Sequence, residues 1–460
     1  MAEALIAALR EALGAGAVAV GGEVPERNRN DWSPLPPVTP LAVVRPSTPE
    51  GVATAMALAH RHGVPVVPQG GLTGLAGGAR PVAGGIALSL ERLVGIEEID
   101  PDAATMTVRA GTTLEMIQNA AAEAGFMVAI DLGARGSCAI GGNLSTNAGG
   151  NRVIRYGMAR EMVLGLEVVL PDGTLVTGLN KMLKNNAGYD LKQLFLGSEG
   201  TLGVITRAVL RLWPLPEVTM AALCGLADYA AVLRLLRAAR RGLGPILSAF
   251  EVMWPDYWDV ATGKVANVRR PIAGPHAFYV LVEAQGSDAV DEGRFARWLE
   301  AQLEDGVIED AAVAGSLREV RDFWATRDAA AEFKAVLGPH ASYDIGLPVA
   351  AMDDYASDCR TALAEALPGC ISFFYGHIAD GNMHIISLVP GAAEQPFDAM
   401  DETIYRLVRR HGGTVSAEHG IGIKKKPYLP YARSEAELAL MRRLKGALDP
   451  ENLLNPGKVV

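Results

Sequence analysis

Two hydrophobic periods alternate along the chain, one helical and one strand-like. In the opening MAEALIAALREALGAG, apolar residues recur at helical spacing around Glu3 and Glu11, which predicts a short amphipathic helix ending at Gly14. Pro34, Pro36, Pro37, Pro40, Pro46 and Pro49 exclude a helix interior over residues 33–49, and the first folded unit is expected to start at that extended entry. Glu50 to His62 reads as helix, VPVVP and GIALSL as short strands, and residues 163–178 as two strands around the turn signal Pro171-Asp172-Gly173. The strand-like run TLGVITRAVLRLWP stops at Pro214. Beyond it helical patterns at 228–241, 289–304 and 316–333 alternate with the strand patterns AFYVLVEA and ISFFYG. Ser434 and Glu437 form a capping box before the helical positions Leu438, Met441, Leu444 and Leu448, and Pro450 ends that helix. The fold class expected is α+β, with a domain boundary near 215 and a second unit whose helices cover one face of its sheet.

Composition narrows the function classes. A chain of 460 residues, 49% hydrophobic and 20% charged, has room for two or three domains and is not disordered. A net charge of -10 argues against holding nucleic acid by phosphate neutralisation. Cys138, Cys224, Cys359 and Cys370 are far apart and form no CxxC pair, so neither a disulfide framework nor an iron–sulfur site is expected. The opening segment reads as neither a secretory signal nor a basic transit peptide, and no run of 18 apolar residues predicts a spanning helix. A cytoplasmic protein, at most peripheral to a membrane, is the expectation.

Three glycine-rich segments carry candidate chemistry. Pro68-Gln69-Gly70-Gly71-Leu72-Thr73-Gly74 and Gly77-Gly78 offer bare backbone N–H groups suited to a pyrophosphate, although alone the segment fits a plain loop equally well. It is not a nucleotide-triphosphate loop, because no Lys-Ser or Lys-Thr follows, and no GxGxxG opens a helix there. A second segment, 131–150, includes Leu132, Gly133, Gly136, Ser137, Gly141, Gly142, Ser145 and Asn147. A third runs through Glu199, Gly203, Val204 and Ile205. In LGARGSCAIGGNLSTNAGGNRVIRYG, YDLKQLFLGSEGTLGVIT, GHIADGNMH, SAEHGIG and DPENLLNPGKV the chain resembles the FAD-linked D-2-hydroxy acid dehydrogenases. That group, including D-2-hydroxyglutarate dehydrogenase, D-lactate dehydrogenase and the glycolate oxidase FAD subunit, belongs to the vanillyl-alcohol oxidase and p-cresol methylhydroxylase superfamily. The resemblance covers nearly the whole chain in the same order. It implies a p-cresol methylhydroxylase-type FAD-binding domain at 1–215 (core about 37–215), a ferredoxin-like α/β substrate cap with an antiparallel sheet at 216–415, and a closing segment, 416–460, that returns to the first domain. It further implies that the three glycine-rich segments, with Asn455, hold one FAD. No His lies between His62 and His276 to tether a flavin, so FAD is expected to bind non-covalently.

Four of the eight histidines, His377, His384, His411 and His419, cluster late in the chain. In ISFFYGHIADGNMHIISLVP, turn residues 379–382 predict a hairpin in which His377 pairs opposite His384, and Tyr375 opposite Ile386. Paired residues share a face with Cβ atoms about 5 Å apart, which lets both imidazoles hold one metal ion, with Glu418 as third ligand. Zinc is the first choice and manganese or iron also fit. On spacing alone, ordinary hairpin histidines would be preferred; the resemblance implies the metal ligands His377, His384 and Glu418, and His419 as the base. It also implies that Arg327 pairs with a substrate carboxylate. His60, His62, His276, His340 and His411 are expected to be structural.

A metal-chelated 2-hydroxy acid would lose its hydroxyl proton to His419 and its C2 hydride to flavin. The pocket expected around Arg327 and His419 departs from the hydroxyglutarate pattern at Ala331, Ser342 and Ile386, where relatives carry Thr, Lys and Asn. With Tyr375 across the hairpin, it should favour a lactate-like or apolar side chain. Electrons would leave to an external acceptor, a quinone or an electron-transfer flavoprotein, and a homodimer is the family expectation. Lys424-Lys425-Lys426 is either a landing site for an acidic carrier or a solvated run. A glycolate-oxidase-type subunit and a non-catalytic flavin-binding subunit are the competing readings.

Overall fold

The computed structural model describes residues 2–460. The chain divides into two compact units. One comprises the chain up to Gly150, Gly157–Leu215 and Glu418–Val460; the other comprises Asn151–Tyr156 and Pro216–Ala417.

The first unit holds two larger sheets among the described residues. In one, Ala42–Val44 lies between Val18–Val20, antiparallel to it, and the parallel strand Ile86–Ser89, whose other neighbour is Val66–Gln69. The proline-rich stretch is extended and contains a central strand, and the sheet begins before it at Val18, which corrects the expected start of the folded unit. Its prolines respect the ladder: Pro40 and Pro46 flank the fully buried Ala42–Val44 and take no place inside it. The helix Pro49–Arg61 follows, capped by Thr48, whose hydroxyl accepts from the Gly51 N–H at 3.0 Å.

The second sheet is antiparallel, in the order Ile96–Asp100, Thr105–Arg109, Val204–Arg211, Val163–Val169, Leu175–Gly178. The hairpin expected around 171–173 forms. Its Gly173 adopts φ +91° and packs so tightly on the Pro49–Arg61 helix that a Cβ would lie 2.7 Å from that of Ala57. Across this sheet the fully buried Glu167 accepts from Arg207 Nε (2.8 Å) and Nη2 (2.5 Å), Thr177 (2.9 Å) and Thr206 (3.0 Å).

The second unit is built on a seven-stranded antiparallel sheet, ordered Asp310–Val313, Val218–Leu226, Phe278–Gly286, Leu247–Met253, Ile371–Gly376, Asn382–Leu388, Ala341–Gly346. Every residue of Phe278–Gly286 is buried. On one face Leu223, Leu281, Met253, Phe373 and Ile386 pack with Tyr257 and Trp258 of the helix Pro255–Lys264 and Phe323 of the helix Leu317–Asp328. One residue out of phase, Cys224, Val280 and Val282 are equally buried, on the side where Tyr229–Gly242 and Ala289–Glu304 pack. Helices thus cover both faces, not one, and this is why the central strands read as continuous apolar runs. The segment Asn151–Tyr156 joins this unit through Arg155, which donates to the Gln285 carbonyl at 2.5 Å.

The helix expected over 316–333 stops at Asp328 and gives way to a 3-10 turn, Ala329–Glu332. The Tyr257 hydroxyl causes the break. It donates to the Arg327 carbonyl and accepts from the Ala330 N–H, occupying groups that would otherwise bond along the helix.

The Glu167–Arg207 pair makes stability depend on pH in a defined direction. Burial by itself raises the Glu167 carboxyl pKa, but the hydrogen bonds from Arg207, Thr177 and Thr206 outweigh it and hold it below 4.5. A depressed carboxyl contributes stability above its unfolded value and loses it as pH falls. Arg207→Met is therefore expected to cost roughly 3 kcal/mol at pH 7 by leaving a buried carboxylate unpaired. Urea titrations should show that penalty shrinking below about pH 4.5, the unfolded-state carboxylate range.

Candidate active site

In the first unit, two glycine-rich loops meet through backbone. Gly71 approaches the 131–147 segment so closely that a Cβ would sit 2.1 Å from the Ser137 carbonyl oxygen, and at Gly70 it would touch Ala139 at 3.4 Å. Gly133 and Gly142 face open space. Pro68 and Gln69 end the strand Val66–Gln69. Gln69 is fully buried and donates to the carbonyls of Asn28 (3.1 Å) and Ala79 (3.0 Å), setting the loop's exit from the sheet. Leu72 and Asn147 adopt φ +63° and +50°, and the Asn147 side chain accepts from the Arg160 N–H at 2.9 Å. Gly203 leaves no room for a side chain beside Val168 and Phe195, and Val204 and Ile205 open the next strand. Bare backbone where two loops converge is a surface that suits a dinucleotide pyrophosphate.

Glu199 and Asn455 face protein. Both Glu199 carboxylate oxygens accept backbone N–H groups, from Ile421 (2.7 Å) and Gly422 (2.8 Å), and Asn455 donates to the carbonyls of Gly78 (3.1 Å) and Glu199 (2.8 Å). Their direct bonds thus support the loops. Lys425 is buried and Lys426 donates to the Val460 carbonyl at 2.7 Å, so the lysine run is not the solvated stripe that its sequence suggests. Also in this unit, Glu418 accepts from the Gly150 N–H at 2.6 Å, and His419 follows it, half-buried.

In the second unit the hairpin register differs from the expected one. Tyr375, not His377, pairs with His384, while Ile386 pairs with Phe373 and Ser342. The strand ends at Gly376, where a 3-10 turn takes over, and His377 caps that turn. A shift of two residues preserves the face. The His377 and His384 rings still lie 5.4 Å apart at 77°. Ile386 is buried among Phe373 and Leu388, whereas Ser342 and Ala331 are exposed.

Glu251, on the strand Leu247–Met253, organises this corner and has no signature in sequence. One carboxylate oxygen takes His377 Nδ1 at 2.7 Å and the other takes Arg327 Nε at 2.7 Å; Arg327 Nη2 in turn reaches His377 Nε2 at 2.8 Å. All three are buried. Burial by itself would push the Glu251 carboxyl up, but His377 and Arg327, converging on its two oxygens, hold it down to about 2. A carboxylate on Nδ1 fixes the tautomer that keeps the Nε2 lone pair as an acceptor, the form in which an imidazole binds a metal. Two imidazoles with one so oriented suit a divalent zinc, manganese or iron ion. Asp344, the strand partner of His384, is fully buried and accepts from Asn382 (2.9 Å), Ser416 (3.1 Å) and the Ala417 N–H (3.2 Å). Tyr375 stacks on Tyr257 at 4.4 Å and lies 5.0 Å from the His384 ring and 5.5 Å from the Arg327 guanidinium carbon. His276 and His411 pair with Glu309 (2.8 Å) and Asp358 (3.0 Å), and His340 lies 3.0 Å from the Gly338 carbonyl.

The family described as FAD linked oxidases, C-terminal domain, matches residues 215–459, and that described as FAD binding domain matches residues 40–178. The chain is 38% identical to the mitochondrial D-2-hydroxyglutarate dehydrogenase of Bos taurus over 94% of this chain and 78% of that protein. It is also 38% identical to the D-2-hydroxyglutarate dehydrogenase of Xanthomonas citri pv. viticola, over 94% and 92% of the two chains. In fold it is similar to substrate-bound p-cresol methylhydroxylase, with a TM-score of 0.81 at 18% identity, covering 99% of this chain and 96% of that one.

Glu251→Ala should cost about 3 kcal/mol by breaking a buried ion pair, since the Arg327 guanidinium keeps the more exposed Asp328 carboxylate 3.2 Å from its Nη1. The double variant Glu251→Met with Arg327→Met should recover most of that loss, as read from urea unfolding.

Proposed function

Because the chain belongs to the FAD-linked D-2-hydroxy acid dehydrogenase family, we propose that it oxidises a D-2-hydroxy acid with a lactate-like or apolar side chain to the 2-oxo acid, using FAD and a divalent metal ion. FAD-dependent dehydrogenase chemistry comes with the family; substrate, metal and residue roles are the proposal. His377, His384 and Glu418 would hold the ion, zinc by first choice, and FAD would lie non-covalently along Gly70–Gly74 and residues 131–147. When bound, FAD supplies the hydride acceptor. The ion, when bound, supplies Lewis acidity at the substrate oxygens. Arg327 pairs with the carboxylate, and His419 takes the hydroxyl proton as general base.

The observation that carries this reading is the bridging of Arg327 and His377 by Glu251, at 2.7 Å to each. One buried carboxylate would thereby orient both the carboxylate-binding cation and a metal-binding imidazole. Glu418 as third ligand is supported by chain continuity: it follows Ala417, whose N–H is held by the strand partner of His384. An apolar preference is supported by Tyr375 and Tyr257 beside Arg327. The names of the relatives favour a second reading, D-2-hydroxyglutarate itself. Reoxidation would fall to an external quinone or electron-transfer flavoprotein. A cytoplasmic location rests on the four unpaired cysteines, set against the mitochondrial name of the bovine relative.

Anaerobic mixing with D- and L-2-hydroxy acids tests the proposal. Apolar D-acids should bleach the flavin faster than D-2-hydroxyglutarate. Chelation should abolish the bleaching and metal add-back restore it; bleaching that survives chelation would sink the metal role, and a preference for hydroxyglutarate the side-chain reading. Glu251→Gln should weaken metal affinity about 10–100-fold, the usual effect of losing a carboxylate behind a ligating imidazole.

A further inference from the structure

The second half of the first glycine-rich loop is gripped by the closing segment of the same unit. The Ala76 carbonyl accepts from the N–H groups of Ile423 (2.9 Å) and Lys424 (3.0 Å). The Gly78 carbonyl accepts from Asn455 (3.1 Å), and the Arg80 carbonyl from Lys458 Nζ (2.8 Å). Across a planar trans peptide, the C=O of one residue and the N–H of the next point in opposite directions. Holding these carbonyls therefore fixes the peptide planes that run on from Gly70–Gly74.

The approach is closer than an ordinary tail contact. A Cβ on Gly422, at φ +51°, would lie 2.1 Å from the Ala76 carbonyl oxygen. Lys458 is buried, and its Nζ is divided between Arg80 O and Asn455 Oδ1, each 2.8 Å away. Burial brings its pKa down to about 8, against the opposing pull of Asp31 and Glu199. Desolvating an amine is costly. The segment has a separate anchor that does not touch residues 76–80: Lys445 donates to the carbonyls of Thr201 (2.9 Å) and Leu454 (2.6 Å) and pairs with Asp449. Lys458 and Asn455 are thus not needed simply to keep the segment attached.

We propose that Asn455 and Lys458 are positioning residues for FAD, which set its affinity by clamping loop 76–80 so that the bare backbone at Gly70–Gly74 stays preformed. The proposal rests on the assignment of that loop to FAD and is independent of the metal and substrate readings.

The test uses the full-length chain stripped of FAD. FAD dissociation constants are measured by flavin fluorescence, beside the melting temperature of the apoprotein, for Lys458→Met, Asn455→Asp and the comparator Lys445→Met. Lys458→Met and Asn455→Asp should weaken FAD about tenfold or more, the effect of losing one hydrogen bond from a charged or buried donor, with apoprotein melting near that of the parent. Lys445→Met should lower melting with a much smaller change in affinity. Unchanged FAD affinity in the two clamp variants, or losses that track melting equally in all three proteins, would overturn the clamp. If Lys458→Met does not fold, Asn455→Asp carries the test, because Asp keeps the size and tolerates φ +47° while removing both donors. A parent chain that takes up no FAD would instead fail the loop assignment itself.

Discussion

Placing a carboxylate inside an apolar sheet layer is the constraint on which the second unit turns. Glu251 is as buried as its neighbours Phe250 and Val252, and an isolated charge there would be far too costly to survive. It persists because Arg327 and His377 converge on its two oxygens. The members support one another: Glu251 and the more exposed Asp328 balance the Arg327 cation, and engagement of both ring nitrogens fixes the orientation of His377. The Tyr257 hydroxyl adds a backbone constraint by holding the Arg327 carbonyl where the helix ends, at Asp328. A site built this way is rigid before any ligand arrives, which lowers the ordering cost of binding.

Much of the secondary structure was legible because its causes are local. The capping box at Ser434 and Glu437, the turn at Gly173 and the helix stop at Gly14 each need only a few adjacent residues to specify them. Where the reading failed, a distant group decided. Nothing within residues 316–333 announces that Tyr257 will intrude on the helix backbone. The His377 hairpin was misread by two residues because loop length was inferred from turn composition, while the strand actually ends at Gly376, whose φ of +155° lets it leave the ladder. A two-residue slip keeps the face, and so the juxtaposition of His377 with His384 survived the wrong register.

The site residues show the same division. Types with recognisable chemistry at fixed spacing, such as His377, His384 and Arg327, stand out in a sequence. Glu251 and Asp344 do not, because each is a single acid in an apolar strand whose partners lie tens of residues away. Residues 68–78 and 131–147 declare themselves by missing side chains, and Gly71 shows why one of them is missing: the Ser137 carbonyl oxygen occupies the space.

The two units solve one problem in different ways. In the second, position is fixed by charge: a buried acid, a guanidinium and an imidazole define directions with strong, short hydrogen bonds. In the first, the glycine loops offer backbone alone, and a flexible backbone pays ordering entropy each time it binds. Such loops are useful only if something else supplies their rigidity. The carbonyls at 76, 78 and 80 meet donors from outside the loop, namely Ile423, Lys424, Asn455 and Lys458, and the carbonyl at 79 meets Gln69 at the loop's own start. Backbone and side-chain donors from elsewhere in the unit thus carry the ordering cost of residues 76–80 within the fold itself.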